Sequence, residues 1–279
     1  MGTHGQDSFA AYDVLARYYD LQHARFVPDV PMYLQAAARF GRAGRARILE
    51  LGCGTARVMA PLVEAGHYVL GVDASEAMLR YARQRLPPPS SARYDLLAAD
   101  IADLGAIFAA AGSTRSAFLP FDLAIIALNT FLHNLSRESQ LAALHASRIL
   151  LRAGGCLIVD LPPNDELAYQ PDAGDSGEFE FEAQLKDDLH RTIVDKYVHS
   201  RILWARQEQW LRYRFEERAE DTHELIRVET AGFRLRHVFK HEMELLLIAA
   251  GFTDWSWYGD YNLSEYGEGS PRMIVFTTT

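Results

Sequence analysis

The sequence predicts an α/β fold: a doubly wound, mostly parallel sheet of seven strands, with an antiparallel β insertion after the fifth. Three observations carry this. Between residues 47 and 161, short apolar runs alternate five times with stretches of helical period. After Pro162 and Pro163 that rhythm gives way to period-two alternation, and it returns near His241 for one helix and two closing strands.

Taken in order, Arg47 to Cys53 is the first strand, and Ala56 to Ala65 is a helix with Val58, Met59, Leu62 and Val63 on one side. Tyr68 to Asp73 is the second strand. Ser75 opens a helix carrying Met78, Leu79 and Ala82, which Pro87 to Pro89 stop. Arg93 to Ala99 is the third strand. Phe121 to Leu128, almost wholly apolar, is the fourth and is expected to be buried on both faces. Leu135 to Leu151 is a helix ended by Ala153, Gly154 and Gly155, and Cys156 to Leu161 is the fifth strand. From Glu178 to about Phe239 the chain alternates, as in Ile193, Asp195, Tyr197 and along one strand from Arg201 to Phe215. His241 to Ala250 is a helix capped by Gly251, followed by strands Phe252 to Tyr258 and Arg272 to Thr278. Residues 1–44, with Tyr12, Tyr18, Tyr19 and a helix from Pro31 to Phe40, form a helical cap over the first strand. The core then comprises residues 45–164 and 240–279, and residues 165–239 form an insertion over the active site.

The 279 residues include 28 basic and 37 acidic ones, a net charge of −9, with no run of five like charges. Phosphate-backbone affinity comes from clustered Lys and Arg, so a nucleic-acid partner is not expected. Cys53 and Cys156 sit in apolar runs, which leaves neither a disulfide framework nor a Cys-based zinc site, and the ten histidines show no metal-ligand spacing. No apolar stretch approaches the roughly 18 residues of a membrane span. The start of the chain has no signal layout, and Gln6 stands where a myristoylation motif wants Ser or Thr. The expectation is a cytoplasmic monomer or homodimer acting on a small molecule.

Chemistry is most legible at Ile48 to Ala56. Gly52 and Gly54 flank Cys53 in a sharp strand-to-helix turn where a ligand can lie against backbone. About twenty residues on, Asp73 ends the second strand, where a carboxylate can accept both hydroxyls of a ribose. A dinucleotide fingerprint would need a further Gly at Arg57, and Glu50 would repel a pyrophosphate. A ribose ligand without phosphates suits the turn better, with an ammonium tail received near Glu50 and Gly52. Asp100 can accept from an adenine amine, Ile101 can pack on the ring, and Met78, beyond Ala74, can cover its other face. Each residue also has a structural role open to it: Asp73 and Asp100 as helix caps, Met78 as core, Glu50 as a partner of Arg47.

At these residues the chain resembles the class I S-adenosylmethionine-dependent methyltransferases, of Rossmann-like fold. The matching segments are Ile48 to Gly54, Val72 to Ser75, Ala99 to Ile101, Phe121 through Leu128 to Asn129, and Leu151 to Gly155. The resemblance implies S-adenosyl-L-methionine as cofactor, S-adenosyl-L-homocysteine as product, and methyl transfer to N or O of a small acceptor by direct displacement. Asn129 to His133 and Ser270 to Val275 look like a small-molecule group within that family. Ala56 replaces a frequent third Gly, and no Asn-Pro-Pro-Tyr motif follows the fourth strand, which argues against methylation of bases. A catalytically idle cofactor-binding module and a protein methyltransferase are the alternatives.

On the acceptor side, alignment supplies much of the catalysis, and an acceptor with a proton to lose benefits from a base. His133 is the candidate base. Tyr19 is the candidate to close over a sulfonium by cation–π and hydroxyl contacts, and so counts as both a cofactor and a catalytic residue. In the insertion, Trp204, Arg206, Glu208, Trp210, Arg212 and Arg214 alternate against Leu203, Ala205, Gln207, Gln209, Leu211 and Tyr213. The aromatic and Arg face, Arg206, Trp210 and Arg212, together with Tyr213, is read as the acceptor wall; the plain alternative is an exposed sheet face.

Overall fold

The structure is a computed structural model, and residues 6–23, 26–88, 93–111, 119–163 and 177–279 are described. Two helices come first, α1 (Gln6–His23) and α2 (Val30–Phe40). The βα units follow: β1 (Arg47–Leu51) and α3 (Met59–Glu64), β2 (Tyr68–Asp73) and α4 (Glu76–Arg85), β3 (Tyr94–Ala98) and α5 (Leu104–Ala111), β4 (Phe121–Ile126) and α6 (Arg137–Leu150), then β5 (Leu151–Leu161). A meander of β6 (Glu180–Asp187), β7 (Thr192–Leu203), β8 (Glu208–Ala219) and β9 (Leu225–Arg236) precedes α7 (Lys240–Ala250), β10 (Asp254–Tyr258) and β11 (Met273–Thr278).

Seven strands make one sheet in the order β3-β2-β1-β4-β5-β11-β10, in which β11 runs antiparallel to both neighbours and the other pairings are parallel. Strand parity distributes the core. Leu49, Leu51, Ala124 and Ile126 meet α6 and α7 on one side, whereas Ile48, Leu123 and Ile125 meet α2 and α3 on the other. All six residues of β4 are buried, as a strand covered on both faces requires. The strand order reverses between β1 and β4, so the carboxyl ends of β1 to β4 open on one crevice.

Two expected boundaries shift. The helix before β5 stops at Leu150 and the strand begins at Leu151, which pairs with Phe121; Ala153 to Gly155 lie inside β5, with Gly154 at φ +69° beside a register shift. The expected single strand from Arg201 to Phe215 is two strands, because a 3-10 turn at Trp204–Arg206 and Gln207 at φ 55° fold β7 back on β8. Period-two alternation runs on through that turn and no Gly, Pro or Asn marks it. Pro89 and residues 165–176 of the expected insertion lie outside the described residues.

The four-stranded meander packs one face on α1. Leu15, Ala16 and Tyr18 of α1 are buried between Ala77 and Met78 of α4 and Val194, Phe215 and Ala231 of the meander. The Tyr18 ring stacks on Phe215 at 4.2 Å, and burying an aromatic side chain of that size stabilises by about 1.5–3 kcal/mol. Among the described residues, no helix is long and apolar enough to cross a membrane.

Candidate active site

The turn after β1 is held from below by β2: Gly52 N and Cys53 N both donate to Val72 O, at 2.7 and 3.0 Å. Gly52 (φ 75°), Gly54 (φ 54°) and Ala56 (φ 63°) are all left-handed. The two glycines are constrained differently. A Cβ on Gly52 would lie 2.2 Å from Thr130 Cγ2, while one on Gly54 would meet nothing within 4 Å. Gly52 is therefore fixed by the loop after β4, and Gly54 is the open position. Asp73 carboxylate closes the turn, accepting from Gly54 N at 2.8 Å and from Ser75 N at 2.9 Å. Ser75, rather than Asp73, caps α4 by accepting from Met78 N. Asp100 caps the 3-10 turn after β3 through Ala102 N at 2.9 Å. Burial raises the pKa of both Asp73 and Asp100, partly offset by these N–H donors.

A cavity of about 780 Å³ starts at this turn, and α1 roofs it. Tyr12, Leu15, Tyr19 and Gln22 reach it at the three- and four-residue spacing of one helix face. Two aspartates of α1 tie it down: Asp13 accepts from Ser75 Oγ at 3.0 Å, and Asp20 from Thr55 Oγ1 at 2.6 Å, with Arg85 pairing with Asp20 at 2.7 Å. Beside that face, α1 bonds the meander through Tyr18 to Glu229 at 2.7 Å and Arg17 to Glu217 at 2.9 Å.

At the far end stand His133, Tyr213, Phe233 and Lys196. Tyr12 Oη and His133 Nε2 are 2.8 Å apart, Tyr12 stacks on Phe233, and His133 Nδ1 is buried with no partner. Burial pushes the His133 imidazole down to about 4, so it is neutral near pH 7. Lys196 pairs with Glu182 at 2.8 Å, donates to Gln22 at 2.7 Å and lies over the Tyr213 ring. The floor is the loop after β4, where Leu128 (φ 41°) and Asn129 (φ 65°) are consecutive left-handed residues. A buried network holds them. Asp160 accepts from Leu128 N and Tyr261 Oη and pairs with Arg272 at 2.7 Å, and Arg272 donates to Asn129 Oδ1 at 2.8 Å.

A family profile described as a methyltransferase domain matches residues 48–155. Residues 48–155 are thus similar to a methyltransferase domain, and the chain shares the fold of S-adenosylmethionine-dependent methyltransferases. A curated protein of Geobacillus sp. (strain WCH70) bearing a provisional methyltransferase name is 34% identical over 76 residues, 26% of this chain and 31% of that protein. The match therefore spans about a third of that relative's length. Among solved structures, an S-adenosylmethionine-dependent methyltransferase from Clostridium acetobutylicum has a TM-score of 0.68 at 17% identity, covering 96% of this chain and 98% of that one. The S-adenosylmethionine-bound amino pentose methyltransferase CalS10 from Micromonospora echinaspora has a TM-score of 0.65 at 19% identity, covering 95% and 97%.

The cavity gathers Tyr19, Gly52, Gly54, Asp73, Ala74, Met78, Asp100, Ile101, Leu128, Asn129, His133 and Tyr213 on its wall. Glu50 is buried behind the turn, and the Cys53 side chain turns into the core beside Gly71. Of the expected acceptor wall, Tyr213 lines the cavity, whereas Arg206 sits in the turn between β7 and β8 and Trp210 and Arg212 lie away from the cavity, where Trp210 donates to Glu208 and Arg212 stacks over Phe179. The inner face is the opposite parity, Gln209, Leu211, Tyr213 and Phe215, because that more apolar row is the one that covers α1 and the cavity. Sequence reasoning missed Lys196, Phe233, the Asp160–Arg272 pair and the role of Arg57, which forks onto Asp29 at 2.7 and 2.6 Å.

Proposed function

We propose that the chain transfers a methyl group from S-adenosylmethionine to a nitrogen or oxygen of a small-molecule acceptor. The observation that carries this reading is the single cavity joining the Gly54 and Asp73 turn to His133 and the inner face of the meander, with room for two ligands end to end. The residues fit the cofactor: Gly54 leaves open space over its backbone, and Glu50 Oε2 is buried without a partner behind the turn. S-adenosylmethionine supplies, when bound, an electrophilic methyl on a sulfonium. Asp73 retains lone pairs for ribose hydroxyls, Asp100, Ile101 and Met78 frame the adenine, and Glu50 receives the ammonium beneath Gly52. Tyr19 and the Leu128–Asn129 backbone flank the reacting end. An acceptor placed at that end would lie beside the Tyr12–His133 pair, which would take the proton that the acceptor loses.

The test is turnover with methyl-labelled cofactor over a panel of small amines and alcohols. Amino sugars come first, since an amino pentose methyltransferase is among the structural relatives. Label in a small molecule is expected, and His133→Gln should lower kcat by about a hundredfold with S-adenosylhomocysteine affinity kept, the scale of one general base. Label found only on added protein, or on nothing despite tight cofactor binding, overturns the proposal.

Glu50 gives a second test. Burial pushes its carboxyl up to about 8, so at pH 7 the free protein holds that proton. An ammonium beside it favours the charged form, and binding S-adenosylhomocysteine at pH 7 is expected to release close to one proton. Calorimetry in buffers of different ionisation enthalpy reads that release, and Glu50→Gln should remove it. Binding heats independent of buffer in the unmodified chain would sink the assignment.

A further inference from the structure

We propose a second binding site, for a phosphate-bearing small anion, on the edge of the sheet opposite the methyl-transfer cavity. A cleft of about 460 Å³ opens at the amino ends of β1, β2 and β4, and Arg42, Arg45, Arg47, Arg93 and Arg152 surround it with one carboxylate, Asp122. That charge is the reverse of the chain's net −9. Arg42, Arg45 and Arg47 fall within six residues of sequence, and folding brings Arg93 and Arg152 to them from two other segments.

Asp122 is already committed. It takes Arg152 Nε at 2.7 Å and the Arg47 backbone N–H at 2.9 Å, with Arg42 Nε at 3.7 Å. Arg152 spends its other donors on the Phe40 and Ala153 carbonyls, and Arg47 gives one to Leu119 O. Among the described residues no carboxylate pairs with Arg45 or Arg93.

The turn that presents two of these arginines is costly. Arg42 and Arg45 exchange both backbone hydrogen bonds, at 2.7 and 3.0 Å, across Ala43 and Gly44. That pairing sets their side chains on one face, where like charges repel, and it puts Ala43 at φ 49°, a region unfavourable for a residue with a Cβ. An anion between them converts the repulsion into attraction. Guanidinium forks match phosphate oxygens two at a time, which selects phosphoryl groups over compact single-charge anions. Arg47 and Arg152, half-buried at strand starts, form the fixed part of the cleft, and Arg42, Arg45 and Arg93 are exposed around it.

The experiment is isothermal calorimetry on the full chain at low salt, with inorganic pyrophosphate as probe and ribose 5-phosphate as a second arm. Saturable pyrophosphate binding is expected, weakened at least tenfold in Arg45→Ala/Arg93→Ala, whose S-adenosylhomocysteine affinity stays within twofold of the unmodified chain. Equal affinity for ribose 5-phosphate would mean the site reads the phosphoryl group of an organic ester, and pyrophosphate alone would mean it reads a free diphosphate. A control pair on exposed arginines elsewhere, Arg83→Ala/Arg137→Ala, should change nothing. No saturable binding, unchanged binding in the Arg45/Arg93 variant, or equal loss in the control pair overturns the proposal.

Discussion

Asp73→Ala is expected to weaken S-adenosylhomocysteine binding by about a hundredfold or more. The substitution removes the acceptor of two turn N–H groups, Gly54 and Ser75, as well as the carboxylate proposed to hold the ribose. Hydrogen bonds to a charged group contribute about 1.5–3 kcal/mol each, and 1.4 kcal/mol is tenfold in affinity. Asp73→Asn keeps one acceptor oxygen and should fall between. The fold should survive, because Asp73 sits at the rim of the sheet and its own strand remains paired with β1 and β3. Calorimetric affinity of Asp73→Ala within twofold of the unmodified chain would show that this carboxylate does not organise the cofactor turn.

Arg272→Ala is expected to cost stability before it costs chemistry. Asp160 is fully buried, and removing its counter-ion leaves an uncompensated charge whose penalty is about 3–5 kcal/mol. In a chain of this size that lowers Tm by roughly 10 °C. The same change frees the Asn129 side chain, so the consecutive left-handed residues of the cavity floor lose one of their tethers and cofactor affinity is expected to fall with it. Adding Asp160→Asn to Arg272→Ala should recover part of the Tm, since it removes the orphaned charge. Urea unfolding within 1 kcal/mol of the unmodified chain would mean that the pair contributes little.

The fold was legible in the sequence wherever burial imposes a period. β4 reads as an apolar run because both its faces are covered, and Ser75 reads as a helix start because its side chain caps locally. The cofactor turn was legible because two glycines and an acid at fixed distances describe its geometry. What stayed hidden is long-range. Asp160 and Arg272 are 112 residues apart, and Arg57 and Asp29 are 28 apart, so no local pattern pairs them. The meander illustrates a different limit. Alternation divided Trp210, Arg212 and Arg214 from Leu211, Tyr213 and Phe215 correctly, but parity alone does not say which row faces in. The more apolar row was the available signal, and the aromatic and Arg row drew the reading away from it.

The position of α1 has a kinetic consequence. One of its faces lines the cavity, its aspartates bond Thr55 and Ser75 beside the cofactor turn, and Tyr18 and Arg17 bond the meander. With a cofactor bound under that helix as proposed, its release would require the helix to lift and to break contacts to both sheets in one step. Residence time would then depend on the hydrogen bonds of α1 to Thr55, Ser75 and the meander as well as on its contacts in the cavity.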